Sequence, residues 1–174
     1  MRQRSRPTPR ISIAFLLSQV GARSAQEFAR LLVPLELAPP DAGILRLLAL
    51  APGLSQQELA GKLGMHASRL VAMIDALEER RLVTRRPDTA DRRVYRLELS
   101  EAGRETLAAI GRAALAHEEV MCAGLSEAER AQLRRLLEKI AARHGLTPGI
   151  HPGYRNLGDA KEKPRGPRRK TARA

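Results

Sequence analysis

The sequence predicts a mainly α fold with one small β-hairpin, in which a central helix-turn-helix is flanked by long amphipathic helices from both ends of the chain. Three observations lead there. The stretch LSQQELAGKLGMHASRLVAMIDALEERRLV, residues 54–83, contains a capped helix start, a glycine stop and a second helical stripe with almost no chain between them. LVTRR and RVYRLEL follow as two strand-like runs around the polar link PDTADR. On either side, apolar residues recur near the helical spacing of 3.6.

Residues 1–10 are polar, basic and proline-containing, and are expected to be a disordered arm. In residues 11–37, Ile13, Leu17, Val20, Phe28, Leu31 and Leu35 fall near one stripe, which predicts a helix from about Ser12 to Val33, stopped or bent by Pro34. A secretory leader would be apolar all round and then end, whereas this pattern runs on past Arg23, Glu27 and Arg30. The unit 38–99 begins with Pro39 and Pro40, which suit the first turn of a helix that Pro52-Gly53 stops. Ile44, Leu47, Leu48 and Leu50 give that helix an apolar face.

Ser55 and Glu58 form a capping box for the next helix; Leu59, Ala60 and Leu63 are its inner face, and Gly64 its end. The following helix, about His66 to Arg80, carries Leu70, Val71, Ile74 and Leu77. The second strand shows Val94, Leu97 and Leu99 as its apolar members. In residues 100–144, Ser100 caps one long helix and the box Ser126/Glu129 opens a last one. Glycine, proline and basic residues dominate 145–174, where a disordered tail is expected.

Composition narrows the function. Apolar residues are 43% of the 174, but aromatics are only 2%, too few for stacking platforms that hold single-stranded nucleic acid. The net charge is +12, of which residues 1–10 hold +4 and residues 161–174 hold +6, so the charge alone says little about the middle of the chain. These tails read equally as solvated arms or as non-specific phosphate contacts. Cys122 is the single cysteine, which rules out an internal disulfide and a cysteine zinc cluster and fits a reducing compartment. It reads as filler rather than as a redox sensor, and His117, Glu118 and Cys122 do not share a helix face suited to a metal. No run is long enough for a membrane span. Phosphate-binding glycine loops, nucleophile elbows and paired-histidine motifs are missing, so neither catalysis nor a cofactor is expected.

A short helix braced against a second one lets the second project its N-terminal turns into a major groove about 12 Å wide. That makes His66, Ala67, Ser68 and Arg69 candidates for base contact, Arg69 as a bidentate donor to guanine or as a phosphate ligand. His66 serves equally well as a helix cap. Ser55 and Gln56 open the bracing helix, where exposed amides suit a phosphate.

Residues 54–103 resemble the multiple antibiotic resistance regulator (MarR) family of winged helix-turn-helix proteins. The resemblance rests on the capped LSQQELAGKLG, on IDALEERRLV, and on DTADRR followed by LELSEAG; with the flanking helices it spans about residues 12–144. It implies a homodimer whose first and last two helices interlock, with two winged domains on adjacent half-sites of a palindrome in double-stranded DNA. Ile13, Leu16, Leu17 and Val20 would then pack against the last two helices, where Leu133, Leu136, Leu137 and Ile140 form the apolar stripe of the final one.

It also implies a repressor relieved when a small-molecule effector, anionic or phenolic, or an oxidant changes the spacing of the two domains; a cytoplasmic, nucleoid-associated location with no membrane partner is expected. Asp91, Arg92 and Arg93 form the wing tip, the aspartate orienting an arginine toward a narrow minor groove, while Arg85 and Arg86 are weaker phosphate candidates. The chain departs from the family pattern at Val71 and Ala72, where relatives carry polar residues, and at Arg81, where they carry glycine. The rival reading is a non-specific nucleoid or protein-assembly module whose basic tails supply the affinity.

Overall fold

A computed structural model of the chain describes residues 11–89 and 91–154. The basic arm at 1–10 and the tail beyond residue 154 lie outside the described residues. Helix α1 spans Ile13–Leu32, and Ser12 caps it by accepting the Phe15 amide at 3.2 Å. Pro34 turns the chain through a single 3-10 turn, Val33–Leu35. Helix α2, Pro39–Leu50, starts on its two prolines, with the Asp41 carboxylate accepting the Ala38 amide at 2.8 Å. Helix α3 is Gln56–Leu63 and helix α4 is Ala67–Glu79. Gly64 between them has φ +63°, a left-handed value that a β-carbon would oppose.

The strands are β1, Leu54–Ser55, β2, Val83–Pro87, and β3, Tyr95–Leu99. They form one antiparallel sheet in the order β1-β3-β2. The expected two-stranded hairpin therefore gains a third strand of two residues, too short to announce itself by alternation. Register pairs Arg85 with Leu97 and Val83 with Leu99, so these four share the inner face. Arg86 faces Arg96, and Ser55 also pairs with Arg96, on the outer face. Val94, expected within the second strand, instead closes the wing turn: its amide donates to Asp91 and its carbonyl accepts from Asp88.

The core sits in the central domain. Ile44, Leu45 and Leu48 of α2, Leu59 and Leu63 of α3, Leu70, Ile74 and Leu77 of α4, and Val83 and Leu97 of the sheet are buried together. Two expected core positions differ. Leu50 is 73% exposed, with Leu45 in the inner place, and Val71 is 40% exposed on the outer side of α4. Each lies too far around its helix to reach the facing element.

Helix α5, Glu101–Met121, leaves this domain from Ser100, whose hydroxyl accepts the Gly103 amide at 2.9 Å. A β-carbon at Gly103 would run into the backbone carbonyl of Leu82, so the helix approaches the start of β2 as only glycine permits. Helix α6, Glu127–Arg143, begins on the Ser126/Glu129 capping box. Within one chain α1 packs on α5, where the Nε2 of His117 lies 3.2 Å from the Ser24 hydroxyl and 3.0 Å from its carbonyl. The buried carboxylate of Glu27 is held there by Arg30 and Arg23, and the hydrogen bond from Arg30 lowers its pKa. Cys122 is a half-buried residue at the end of α5.

Ile13, Leu16, Leu17 and Val20 are exposed in the single chain, from 38% for Leu17 to 73% for Ile13. Leu133, Leu136, Leu137 and Ile140 are exposed as well, and α6 buries no residue against its own chain. The chain after α6 differs from the expectation of a disordered tail starting at residue 145. Residues 145–154 fold back to the central domain and end in a 3-10 turn, Pro152–Tyr154. Tyr154 is buried; its hydroxyl donates to the Pro39 carbonyl at 3.0 Å, and its ring lies where a β-carbon at Gly43 would meet it at 2.7 Å. One aromatic ring seated on a glycine thus orders a segment whose composition argues for coil.

Candidate nucleic-acid interface

The interface is built from the start of α3, the start of α4 and the wing between β2 and β3. Ser55 caps α3: its hydroxyl accepts the Glu58 amide at 3.2 Å and its amide donates to the Glu58 carboxylate at 2.7 Å. That reciprocal pair holds the Glu58 carboxyl below its ordinary range, chiefly through the Ser55 amide. Gln56 is half-buried, and its side-chain amide nitrogen has no hydrogen-bond partner among the described residues.

Gly64 and the buried Met65 turn the chain into α4. His66 occupies the N-cap position with extended backbone but makes no side-chain cap bond, so its ring stays exposed. Of the two readings of His66, the cap is the one the geometry does not use. Ala67 and Ser68 are exposed beside it, and Arg69 is half-buried. Val71, Ala72 and Asp75 continue the outer face of the helix. Hydrogen-bond donors are therefore concentrated in the first turn, and an apolar patch follows.

Asp75 would place a negative charge on that face, and Arg85 offsets it. The Arg85 guanidinium bridges Asp75 and Glu78 and is only 19% exposed. This corrects the reading of Arg85 as a phosphate ligand. Its position opposite Leu97 turns it inward, where it ties β2 to α4. Arg86 points outward, 71% exposed, and pairs with Glu98 at 2.9 Å.

At the wing, Arg92 and Arg93 are exposed. Asp91 accepts the backbone amide of Arg93 at 2.9 Å, so it shapes the turn rather than holding a guanidinium, and among the described residues it forms no ion pair. Sequence reasoning missed Arg96. On β3 its guanidinium donates to Asp88 at the base of the wing, to Glu58 at 3.1 Å and to the Gly53 carbonyl at 3.3 Å. The clue available was its place one residue off the inward-facing Leu97 in the alternation of the strand.

A cleft of about 530 Å³ opens where α5 leaves the central domain. Leu48, Ala49, Pro52, Leu99 and Leu107 line it, with the charges of Arg104 and Glu98 at its edge. The Arg104 guanidinium is anchored on the Leu99 carbonyl at 3.0 Å and on Glu101 at 2.7 Å. Among the described residues no cluster of histidine, cysteine and carboxylate could hold a metal, and no helix is long and apolar enough to cross a membrane.

A family model described as MarR family matches residues 37–95. The chain is also 33% identical over 137 residues to the putative transcriptional regulatory protein for the hcr operon of Thauera aromatica, covering 78% of this chain and 82% of that protein. The chain belongs to the MarR family. Solved MarR-family structures have the same architecture. The transcriptional repressor CouR, bound to a 23-mer DNA duplex, superposes with a TM-score of 0.66 at 34% identity, covering 75% of this chain and 92% of that one. The Mycobacterium tuberculosis MarR-family protein Rv2887 in complex with DNA gives 0.66 at 27% identity, over 75% and 98% of the two chains. Its complex with p-aminosalicylic acid gives 0.62 at 27% identity, over 75% and 99%.

Proposed function

We propose that this MarR-family transcriptional regulator is a repressor that binds a palindromic operator as a homodimer and leaves it when a small molecule binds. The first turn of α4, with His66, Ala67, Ser68 and Arg69, enters the major groove. The wing places Arg92 and Arg93 in the flanking minor groove, and the start of α3 at Ser55 and Gln56 meets a phosphate. The observation that carries this reading is the exposed N-terminal turn of α4, on a helix otherwise held by Leu70, Ile74 and Leu77. CouR and Rv2887 are both described bound to DNA.

The exposed stripes of α1 and α6 support the dimer, because together they leave more large apolar side chains in water than a stable monomer does. The cleft beside Arg104 is the candidate effector site. Its walls are largely apolar, and of the two charges at its edge Arg104 suits a small aromatic acid while Glu98 is engaged by Arg86; Rv2887 is described with such an acid. Exposed Val71 and Ala72 favour a second reading, a module that binds DNA without sequence preference.

The deciding experiment compares binding to the DNA upstream of the protein's own gene with binding to scrambled DNA over a salt series. Arg69→Ala, Arg93→Ala and a chain trimmed to residues 11–154 run alongside. Trimming at 154 rather than at 144 keeps the docked Tyr154. Sequence-specific binding predicts a preference of about a thousandfold or more, kept by the trimmed chain, and a loss of about ten- to a hundredfold for Arg69→Ala. Equal binding to both DNAs, abolished by trimming, would establish the non-specific reading instead.

A further inference from the structure

We infer that Arg96 is a positioning residue that locks the wing to the start of α3, so that wing and helix-turn-helix meet DNA as one rigid unit; this rests on the DNA-binding reading above. Two stretches of chain, the wing base and the run from Gly53 into α3, converge on its guanidinium. The Nε donates to Asp88, which opens the wing turn. The Nη1 donates to Glu58 and to the carbonyl of Gly53, just before β1. The Glu58 oxygen it reaches, Oε2, is the one that accepts the Ser55 amide. One cation therefore joins the base of the wing to the capped end of the bracing helix.

The placement is not what sheet stability alone would select. Arg96 lies directly across from Arg86, and like charges opposite one another on a sheet repel. The acids around the pair offset this, Glu98 on Arg86 and Asp88 with Glu58 on Arg96. Asp88 is only 11% exposed, so removing a cation beside it is costly, whereas a solvated arginine would be dispensable. A planar fork can serve two carboxylates and a carbonyl at once, and a lysine ammonium cannot do so with the same geometry. The link continues to the tip: the Asp88 amide donates to the Val94 carbonyl at 2.8 Å, and the Val94 amide to the Asp91 carbonyl at 2.9 Å, which brackets Arg92 and Arg93. With its Nε and Nη1 committed to Asp88, Glu58 and Gly53, and its side chain 38% exposed, Arg96 is assigned the role of holding the arginines at the wing tip in place rather than that of a phosphate ligand.

The test uses the full chain and a duplex of its own upstream DNA, with affinity read over a salt series. Arg96→Met keeps the apolar stem and is expected to weaken binding about tenfold and to lower the salt slope no further when added to Arg93→Ala, whereas loss of a separate phosphate ligand would lower the slope of that double variant by about one more. Arg93→Ala should weaken the wild type about tenfold or more and add little in the Arg96→Met background, while Arg69→Ala should cost the same in both. Arg96→Lys should behave like Arg96→Met, and Asp88→Asn, which severs the link from the other side with its shape kept, should reproduce it.

Amide exchange of residues 91–94 in the DNA-free protein supplies a readout independent of binding, and it should quicken in Arg96→Met while α4 is unchanged. A salt slope for the double variant about one below that of Arg93→Ala, fully multiplicative losses of Arg96→Met and Arg93→Ala, or unaltered exchange at the wing would each overturn the inference. If instead Arg93→Ala and Arg69→Ala both bind like wild type, the DNA-contact reading fails, and wing exchange still decides whether Arg96 holds the wing.

Discussion

Arg81 occupies a backbone position that suits glycine. It follows α4 with φ +57°, and the turn it makes is a left-handed helix end: the Leu82 amide returns to the Leu77 carbonyl at 2.9 Å and the Arg81 amide to Glu78 at 2.8 Å. Its carbonyl accepts the Ser100 hydroxyl, so the turn also fixes where α5 begins. Among the described residues its exposed side chain forms no ion pair.

An L-residue in this conformation carries about 1–2 kcal/mol of strain. Replacing it by glycine removes the strain but gives the unfolded chain about 0.4–1 kcal/mol of extra entropy. The difference predicts that Arg81→Gly is more stable by about 0.5–1 kcal/mol, or about 1–4 °C in Tm for a chain of this size. Circular dichroism melts at one fixed protein concentration would measure it. Arg81→Ala separates charge from backbone, because it removes the guanidinium and keeps the β-carbon; its Tm should stay within about 1 °C of wild type. A glycine variant no more stable than wild type, or an alanine variant that gains as much, would refute the strain argument.

Gly103→Ala should destabilise by about 1–3 kcal/mol in denaturant titrations despite alanine's better helix propensity, because the new methyl meets the Leu82 carbonyl. Tyr154→Phe removes one hydrogen bond to Pro39, worth about 1 kcal/mol; faster amide exchange in residues 150–154 with an unchanged global unfolding midpoint is the expected signature. The carboxyls of Glu58 and Glu129 lie below their ordinary value near 4.5, held there mainly by the Ser55 amide and by the Ser126 hydroxyl respectively. Their stabilising effect is complete above that ordinary value and is lost as pH falls through the lowered one. Glu58→Gln and Glu129→Gln should therefore flatten the fall of Tm between about pH 5 and 3.

Local chemistry was the most legible part of the sequence. Ser55 with Glu58, Ser126 with Glu129, Gly64 and the paired prolines each mark a helix end by a rule spanning four residues or fewer, and the structure uses all of them. Long-range partners were not legible. Strand β1 is two residues long and exists only because Leu97 and Arg96 lie beside it. Tyr154 is ordered by Gly43 and Pro39, which no pattern in the tail announces. Arg85 was half legible. Its charge suggested a phosphate, while its parity with Val83 on the strand pointed inward, and parity wins because Asp75 and Glu78 wait on that side. Arg96 was missed for the converse reason, since its acids come from α3 and the wing base, far apart in sequence.

Helix α6 has no fully buried residue in its own chain, which has a genetic consequence. In the proposed dimer the surfaces that choose a partner, on α1 and α6, are separate from those that touch the operator. A mutant chain with a ruined wing or recognition helix still pairs with a normal chain and leaves it with one working half. In a cell carrying both alleles, three of every four dimers would then be defective, and such alleles would be dominant. Alleles that break the stripe of Leu133, Leu136, Leu137 and Ile140 would leave the normal chains to pair among themselves, and would be recessive.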